Sequence, residues 1–354
     1  MATYHVVGVM SGTSLDGLDL ICCVLNQNQN QWSYQIQKAR TVSYEDAMVK
    51  FLSETSGYSG RELENRNIVY GKYIGKEVVN FLNVNKLKAD LVASHGHTIF
   101  HQPQMGFTYQ LGSGAAIAST TGITTISDFR SLDVSNGGQG APLVPVGDEY
   151  LFGDYRFCLN LGGFSNISYH ENNKRMAFDI CPVNIFINQI CRRTGQEFDD
   201  KGKIASRGHI NQALLKQLND LDYYRQKHPK SLSREWLETD FLPVIEMYKL
   251  STEDTLRTAY EHFSIQISRA LNTFSGGRIL VTGGGVYNEF LMDLISQKTI
   301  KRIEVPDSIL VKYKEALVFA LLGVLRYRNE INCFSSVTGA RCDSSTGVIS
   351  PVQS

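Results

Sequence analysis

The sequence contains no apolar run longer than the ten residues Ala316 to Leu325, about half of the ~20 that a bilayer-spanning helix needs. No membrane span is expected. The amino terminus lacks a basic stretch ahead of an apolar core. Val6 to Met10 runs straight into Ser11-Gly12-Thr13-Ser14, which is not a cleavable signal, and a cytoplasmic location is expected. An excess of one charge is also missing: 35 Lys plus Arg stand against 35 Asp plus Glu, which argues against nucleic acid as a main partner. Seven cysteines include the adjacent pair Cys22 and Cys23 but no C-x-x-C. That excludes a disulfide framework and a zinc site, and leaves reduced, mostly buried thiols. Proline is scarce, at eight residues. With 42% apolar and 20% charged residues, the chain has enough to bury a core and too little bias to be disordered. At roughly 150 residues per domain, its 354 residues make about two domains.

What is present is an alternation of strands and helices. Tyr4 to Met10 and Leu18 to Leu25 flank a small-residue turn, Ser11 to Gly17, and read as strand, turn, strand. The pattern recurs: Arg156 to Leu161, the turn Gly162-Gly163-Phe164-Ser165-Asn166, and Ile167 to His170, followed by a strand at Arg175 to Ile180. Two such hairpins suggest two lobes built on one plan. Between them the apolar spacing predicts a helix over Ser59 to Leu87, then a short strand, Asp90 to Ser94, and a His-rich loop. Helices are predicted at Ile185 to Cys191, Ile210 to Leu221, Thr252 to Phe274 and Tyr313 to Tyr327, broken by a strand at Arg278 to Thr282. The class is α/β. Ser131 to Gly140, with Asn136-Gly137-Gly138-Gln139-Gly140, is the best linker or hinge candidate. It puts the first lobe at 1–130 with the tail 345–354, and the second at 131–344.

Glycine turns let a backbone approach a ligand, and successive N–H groups in them attract phosphate oxygens. Gly12 to Gly17 has that composition, with hydroxyls from Thr13 and Ser14 and a carboxylate, Asp16 or Asp19, to hold magnesium directly or through water. On spacing alone it reads as an ordinary hairpin. The second turn, at Gly162 to Asn166, favours the phosphate reading, because two turns on two lobes can clamp a polyphosphate. There is no G-x-x-x-x-G-K-[ST]. Gly283-Gly284-Gly285-Val286-Tyr287-Asn288 follows a strand and opens a helix, which suits a nucleotide or a plain βα turn. Asp179 ends a strand ahead of Cys181-Pro182-Val183-Asn184, where a general base or a helix cap would sit. Arg130 is positioned to pair with a substrate carboxylate, or with Asp128. His95, His97 and His101 lack a fourth ligand and helical spacing, so hydrogen bonding is favoured over metal binding. The segment Pro229 to Trp236 reads as a closing loop or a solvated one.

Taken together, Gly8-Val9-Met10-Ser11-Gly12-Thr13-Ser14-Leu15-Asp16-Gly17, Ser94-His95-Gly96, Ser127-Asp128-Phe129-Arg130, Gly137 to Pro145 and Leu159 to Ser168 closely resemble the anhydro-N-acetylmuramic acid kinases. The likeness continues through Pro229-Lys230-Ser231 with Arg234-Glu235, Gly283-Gly284-Gly285 with Asn288, Lys314-Glu315-Ala316 and Val337 to Ala340. The resemblance implies a two-lobed actin-like ATPase (ribonuclease H-like) fold with the nucleotide in the interlobe cleft. It also implies a Mg2+- and ATP-dependent kinase that opens the 1,6-anhydro bridge with water and phosphorylates O6, giving N-acetylmuramic acid 6-phosphate in cell-wall sugar recycling. By the same resemblance Asp179 is the base. Gly12, Thr13, Ser14, Leu15, Asp16, Gly17, Leu18 and Asp19 hold ATP, with Gly162, Gly163, Ser165, Asn166, Gly283, Gly284, Gly285 and Asn288. His95, Arg130, Asn184 and Glu315 meet the anhydrosugar, Asp16 holds the metal, and the assembly is a homodimer. Lobe closure would exclude bulk water from the reaction.

Two departures stand out. Where the family has Asp-Thr-Gly-Pro-Gly-Asn, this chain has Asp179-Ile180-Cys181-Pro182-Val183-Asn184, and His97 replaces a usual Gln. Bulkier residues there are expected to restrict the backbone and narrow the pocket beside the base. The alternatives are a kinase of another 1,6-anhydrosugar such as levoglucosan, and a non-catalytic nucleotide-binding protein that signals by lobe closure.

Overall fold

The computed structural model describes residues 2–352 other than 13, 30, 173, 228, 229 and 274. The chain divides into two compact units, Met1–Leu151 with Tyr313–Ser354, and Phe152–Lys312.

The first unit begins with β1 (Ala2–Ser11), β2 (Gly17–Asn28) and β3 (Gln31–Ser43), an antiparallel meander. The hairpin read from sequence thus continues into a third, 13-residue strand. A parallel neighbour for β1 requires a crossover. The helices Asp46–Glu54 and Gly60–Asn85 supply it and lead into β4 (Leu91–Gln102). Next come β5 (Phe107–Leu111), antiparallel to β4, and β6 (Thr125–Ser127), parallel to it. The strand is longer than the predicted Asp90–Ser94 and carries His95, His97 and His101, so the expected His-rich loop is part of the sheet.

The second unit repeats the plan. β7 (Phe157–Leu161), β8 (Phe164–Glu171) and β9 (Lys174–Pro182) form an antiparallel meander. Helices spanning Asn184–Arg192 to Thr252–Asn272 cross over to β10 (Arg278–Thr282) and then β11 (Arg302–Glu304), both parallel to β7. The chain then returns to the first unit and ends on β12 (Val348–Ser350), antiparallel to β6. The sheet orders are β12-β6-β4-β1-β2-β3, with β5 on β4, and β11-β10-β7-β8-β9. Three antiparallel strands followed by two parallel ones beside the first is the ribonuclease H-like order, and it occurs twice.

Burial on both faces explains the continuous apolar centre of β1. Val7 and Val9 pack with Tyr70, Ile74 and Val78 of the helix Gly60–Asn85. Gly8 lies on the other face, where a Cβ would collide with the Ala316 carbonyl. Burial of those three helix residues, at ~1.5–3 kcal/mol for each large apolar side chain, holds that helix more firmly than its own propensity does. In the second unit Phe157, Leu159, Leu161, Ile279 and Val281 form one core with Phe186, Tyr260, Phe263 and Ile267.

The unit boundaries fall at 151/152 and 312/313 rather than at 130/131 and 344/345. Packing is the reason. The helix Ser308–Tyr327 lies against the first sheet at Gly8 and at Gly323, where a Cβ would sit 2.5 Å from Ala93 Cβ. Ser131–Gly140, expected as a linker, is instead the helix Ser131–Ser135 and a loop bound to buried Asp133. Asp133 Oδ2 accepts from the Gly140 N–H (2.8 Å), and Asp133 Oδ1 accepts from Thr338 Oγ1 (2.8 Å) and Cys333 Sγ (3.1 Å). No helix among the described residues is long and apolar enough to cross a membrane. All seven cysteines are free thiols, and all but Cys342 are buried.

Candidate active site

In the first unit, the β1–β2 turn sits over a buried polar stack. Ser11 is 1% exposed, and its Oγ lies 2.8 Å from Tyr44 Oη and 2.9 Å from His97 Nδ1. Tyr44 Oη in turn lies 2.6 Å from Tyr70 Oη. Above the stack, Leu15 adopts φ 60°, the left-handed region, and Ser14 Oγ donates to Asp16 Oδ1 at 2.8 Å. A Cβ on Gly12 would meet only Ser14, at 3.3 Å, so the space over that glycine is open. Thr13 lies outside the described residues. Asp19 stands opposite Met10 and Thr41, and its Oδ1 accepts from Thr41 Oγ1 at 2.5 Å. The Leu18 side chain is fully buried in the core of this unit.

The three histidines on β4 are hydrogen-bonding groups. His95 Nε2 accepts from Arg130 Nε (2.9 Å) while its Nδ1 donates to the Gly96 carbonyl (2.8 Å). Burial lowers the pKa of all three, that of His97 to about 4, so the rings are neutral near pH 7. Among the described residues no cluster of three or more His, Cys, Asp or Glu is arranged to hold a metal. Arg130 Nη1 donates to the Gly140 carbonyl at 2.6 Å, and burial brings the guanidinium down to about 10. Its expected alternative partner, Asp128, is instead engaged with Ser131: Oδ1 accepts from Ser131 Oγ (2.6 Å) and N–H (3.2 Å). Glu315 is solvent-accessible yet surrounded by protein that raises its carboxyl. Arg130 and Lys314 pull it back, and Asp19 adds to the rise. The adjacent Lys314 is nearly buried, 2.6 Å from Asp148 Oδ1.

In the second unit, the two-residue turn Gly162-Gly163 docks on the start of the helix Asn184–Arg192. Its carbonyls accept from the N–H groups of Val183 (2.8 Å), Asn184 (3.3 Å) and Ile185 (3.1 Å), and Asn184 Nδ2 donates to the Leu161 carbonyl (3.0 Å). The turn after β10 lies alongside. Gly283 has φ 87°, and a Cβ there would come within 2.5 Å of Asn160 Oδ1; on Gly285 it would come within 2.7 Å of Leu161 Cβ. Gly162, Gly163, Asn184 and Gly283–Gly285 are therefore neighbours, although 120 residues of sequence separate the two turns. Two other expected nucleotide contacts are committed to the fold. Ser165, fully buried, bonds the Cys181 carbonyl and N–H. Asn288 Oδ1 accepts from the Leu291 N–H and its Nδ2 donates to Tyr260 Oη.

Strand register puts Thr282, Asn160, Asn166 and Asp179 in one row across four strands, on one face at the turn end of the sheet. Asp179 is partly buried. Burial pushes its carboxyl up from 3.8 to about 6, against the pull of the Leu232 N–H, which donates to Oδ2 at 2.9 Å. A carboxyl held near neutrality is suited to accept a proton at physiological pH. The bulkier residues beside it do not narrow a pocket as expected. Ile180 is 3% exposed and Cys181 and Val183 0%, all within the core of this unit, and burial raises the Cys181 thiol to about 12. Sequence reasoning missed Tyr223 and Leu232 as partners of Asp179, and Tyr44 and Tyr70 behind Ser11, because neither pair stands in a motif with them.

A family model described as anhydro-N-acetylmuramic acid kinase matches residues 4–352. The anhydro-N-acetylmuramic acid kinase of Synechococcus elongatus is 33% identical over 365 residues, covering 95% of this chain and 96% of its own. That of Hydrogenovibrio crunogenus is 32% identical over 362 residues, covering 97% of each. The solved structure of the (R)-2-hydroxyglutaryl-CoA dehydratase component A of Acidaminococcus fermentans is 10% identical, covers 90% of this chain and 97% of its own, and has a TM-score of 0.47. The family model and the two kinases matched nearly end to end make the chain an enzyme of the sugar-kinase class, a phosphotransferase with an alcohol acceptor. More particularly, the chain belongs to the anhydro-N-acetylmuramic acid kinase family. Family membership does not favour the levoglucosan-type or non-catalytic alternatives.

Proposed function

We propose that the protein cleaves the 1,6-anhydro bridge of anhydro-N-acetylmuramic acid with water and transfers the γ-phosphoryl group of ATP to O6, with Asp179 as general base. Asp179 takes one proton from water, the water oxygen bonds to the anomeric carbon, the C1–O6 bond breaks, and O6 receives the phosphoryl group. The products are N-acetylmuramic acid 6-phosphate and ADP. One observation carries this reading: a carboxyl raised to about 6 stands in the same strand row as Asn160 and Asn166, at the turn end of the sheet.

In the first unit the open backbone around Gly12, with Ser14, Asp16 and Gly17, would offer N–H groups to nucleotide phosphates; in the second unit the turns Gly162-Gly163 and Gly283–Gly285 would offer theirs. Gly12, Gly163 and Gly284 leave room that side chains would fill. Arg130, fixed by His95 and Gly140, would direct Nη2 at the carboxylate of the sugar's lactyl group. His95 then acts through Arg130 as a positioning residue.

The carboxylates near the first turn are suited to magnesium. Asp16 is exposed there and Asp19 lies on β2 within the electrostatic reach of Glu315. An oxygen donor set of one or two carboxylates completed by phosphate and water is what Mg2+ takes beside nucleotides, so these residues fit. When bound, it would neutralise charge on the phosphates during transfer. A homodimer in the cytoplasm, where ATP is available, is part of this reading.

The decisive experiment is incubation with Mg-ATP and a panel of anhydrosugars that includes levoglucosan, followed by mass analysis. A product of anhydro-N-acetylmuramic acid that gains both phosphate and water is expected. Gain of phosphate alone, or turnover of levoglucosan only, would reject the reading.

A further inference from the structure

Asp179 is tied to a segment outside the sheet by a closed ring of hydrogen bonds. The Tyr223 hydroxyl donates to the Asp179 carbonyl (2.6 Å), and the Asp179 N–H donates to the Lys230 carbonyl (3.2 Å). The Leu232 N–H donates to Asp179 Oδ2 (2.9 Å), and the Lys230 ammonium donates to the Tyr223 carbonyl (3.0 Å). Lys230 Nζ also stands 4.4 Å over the Tyr223 ring, which is 4% exposed and 5.2 Å from Trp236. Tyr223 and Leu232 thus grip the acid at two points, its carbonyl and one oxygen of its side chain. Oδ1 carries no hydrogen bond among the described residues.

We propose that Tyr223, Lys230 and Leu232 form a positioning strap that occupies Oδ2 of Asp179 and presents Oδ1 alone to the attacking water. This rests on Asp179 being the base. A carboxylate free to rotate offers either oxygen in many orientations, whereas one fixed at Oδ2 is oriented before substrate arrives. The titratable groups around it are Tyr223, whose hydroxyl burial keeps protonated, and beyond it Lys230, lowered by burial, and the Cys181 thiol. The Leu232 N–H lowers the Asp179 carboxyl, so a loosened strap raises it further.

The test uses Tyr223→Phe and Lys230→Met, each removing one link while keeping bulk. Thermal melts establish which variants are folded, and either one suffices. Turnover is expected to fall about 10-fold or more, with the KM for ATP within about twofold. The acidic limb of kcat/KM should move up by about half to one pH unit as the loosened strap weakens the Leu232 N–H bond to Oδ2. ¹³C titration of the Asp179 carboxyl should show the same upward move without any turnover. An unmoved carboxyl titration in the folded variants, or a loss of activity uniform at all pH, overturns the strap. Wild-type turnover in Asp179→Asn overturns instead the assignment of the base, and the ¹³C titration still reads the strap.

Discussion

Cys181 Sγ lies 3.2 Å from Ser165 Oγ, and both residues are fully buried. They stand opposite each other on β8 and β9, next to the register shift between Ser165 and Asn166 that precedes the Asn166–Asp179 pair. The unusual thiol is therefore a packing residue behind Asp179. Cys181→Ala should cost about 1–3 kcal/mol of stability, in the range of small buried truncations, and leave the ranking of sugars unchanged. Denaturant melts and the anhydrosugar panel check both. A changed sugar preference would place the thiol in the substrate pocket instead.

Asp179 is expected to reduce stability in the service of catalysis. Its folded pKa, about 6, lies above the ordinary 3.8. The native state therefore binds more protons between those values, and stability is lost as pH rises from about 4 through 6. Asp179→Asn should be more stable than the parent by about 1–3 kcal/mol at pH 8, from ~1.4 kcal/mol per pH unit, with no gain near pH 4. Calorimetric melts across pH measure this, and equal melting at pH 8 would show that the carboxylate is not desolvated.

On its proposed role the same carboxyl should set the acidic side of the rate profile. Below about pH 6 it is protonated and cannot take the water's proton, so kcat/KM should decline with falling pH around that value. Asp179→Asn should lose on the order of 10²–10⁴-fold in turnover with ATP affinity nearly unchanged. A flat profile from pH 5 to 8 would contradict the assignment.

Gly12→Val separates folding from binding. The nearest atom to a new Cβ is Ser14 Oγ, at 3.3 Å, so the variant should fold normally. The branched side chain would fill the open space over the turn and weaken ATP binding by about tenfold or more, the cost of obstructing a close backbone approach. Isothermal titration with an unhydrolysed ATP analogue reads this, and parental affinity would exclude the turn from the phosphate site.

His97 supports the turn from beneath. His97→Gln retains an acceptor for Ser11 and should stay within about 0.5 kcal/mol of the parent, whereas His97→Leu leaves the buried Ser11 hydroxyl short of a partner and should cost about 1–3 kcal/mol. The leucine variant should also raise the KM for ATP. Equal melts for the two would mean the 2.9 Å contact contributes nothing.

The histidines show where reading along the chain stopped short. Spacing excluded a metal site for His95, His97 and His101, but put them in a loop, because Ser94-His95-Gly96-His97 lacks the apolar alternation that marks a strand. Pairing with β1 and β5 overrides that weak local signal. Ser131–Gly140 failed for the opposite reason. Its glycines resemble a linker, yet they are required for packing around Asp133, where a Cβ on Gly138 would collide with the carboxylate.

Hydrophobic periodicity and glycine placement are local properties. They were enough to locate the two glycine-turn hairpins, the α/β class and the strand that carries Asp179. Which oxygen of that acid is held, that Tyr223 and Leu232 hold it, that Ile180, Cys181 and Val183 face the core, and that residues 313–354 belong with the first unit were decided only when the chain folded. Each depends on contacts between residues far apart in sequence, and on burial, which changes the chemistry of a carboxyl without changing a letter of the sequence.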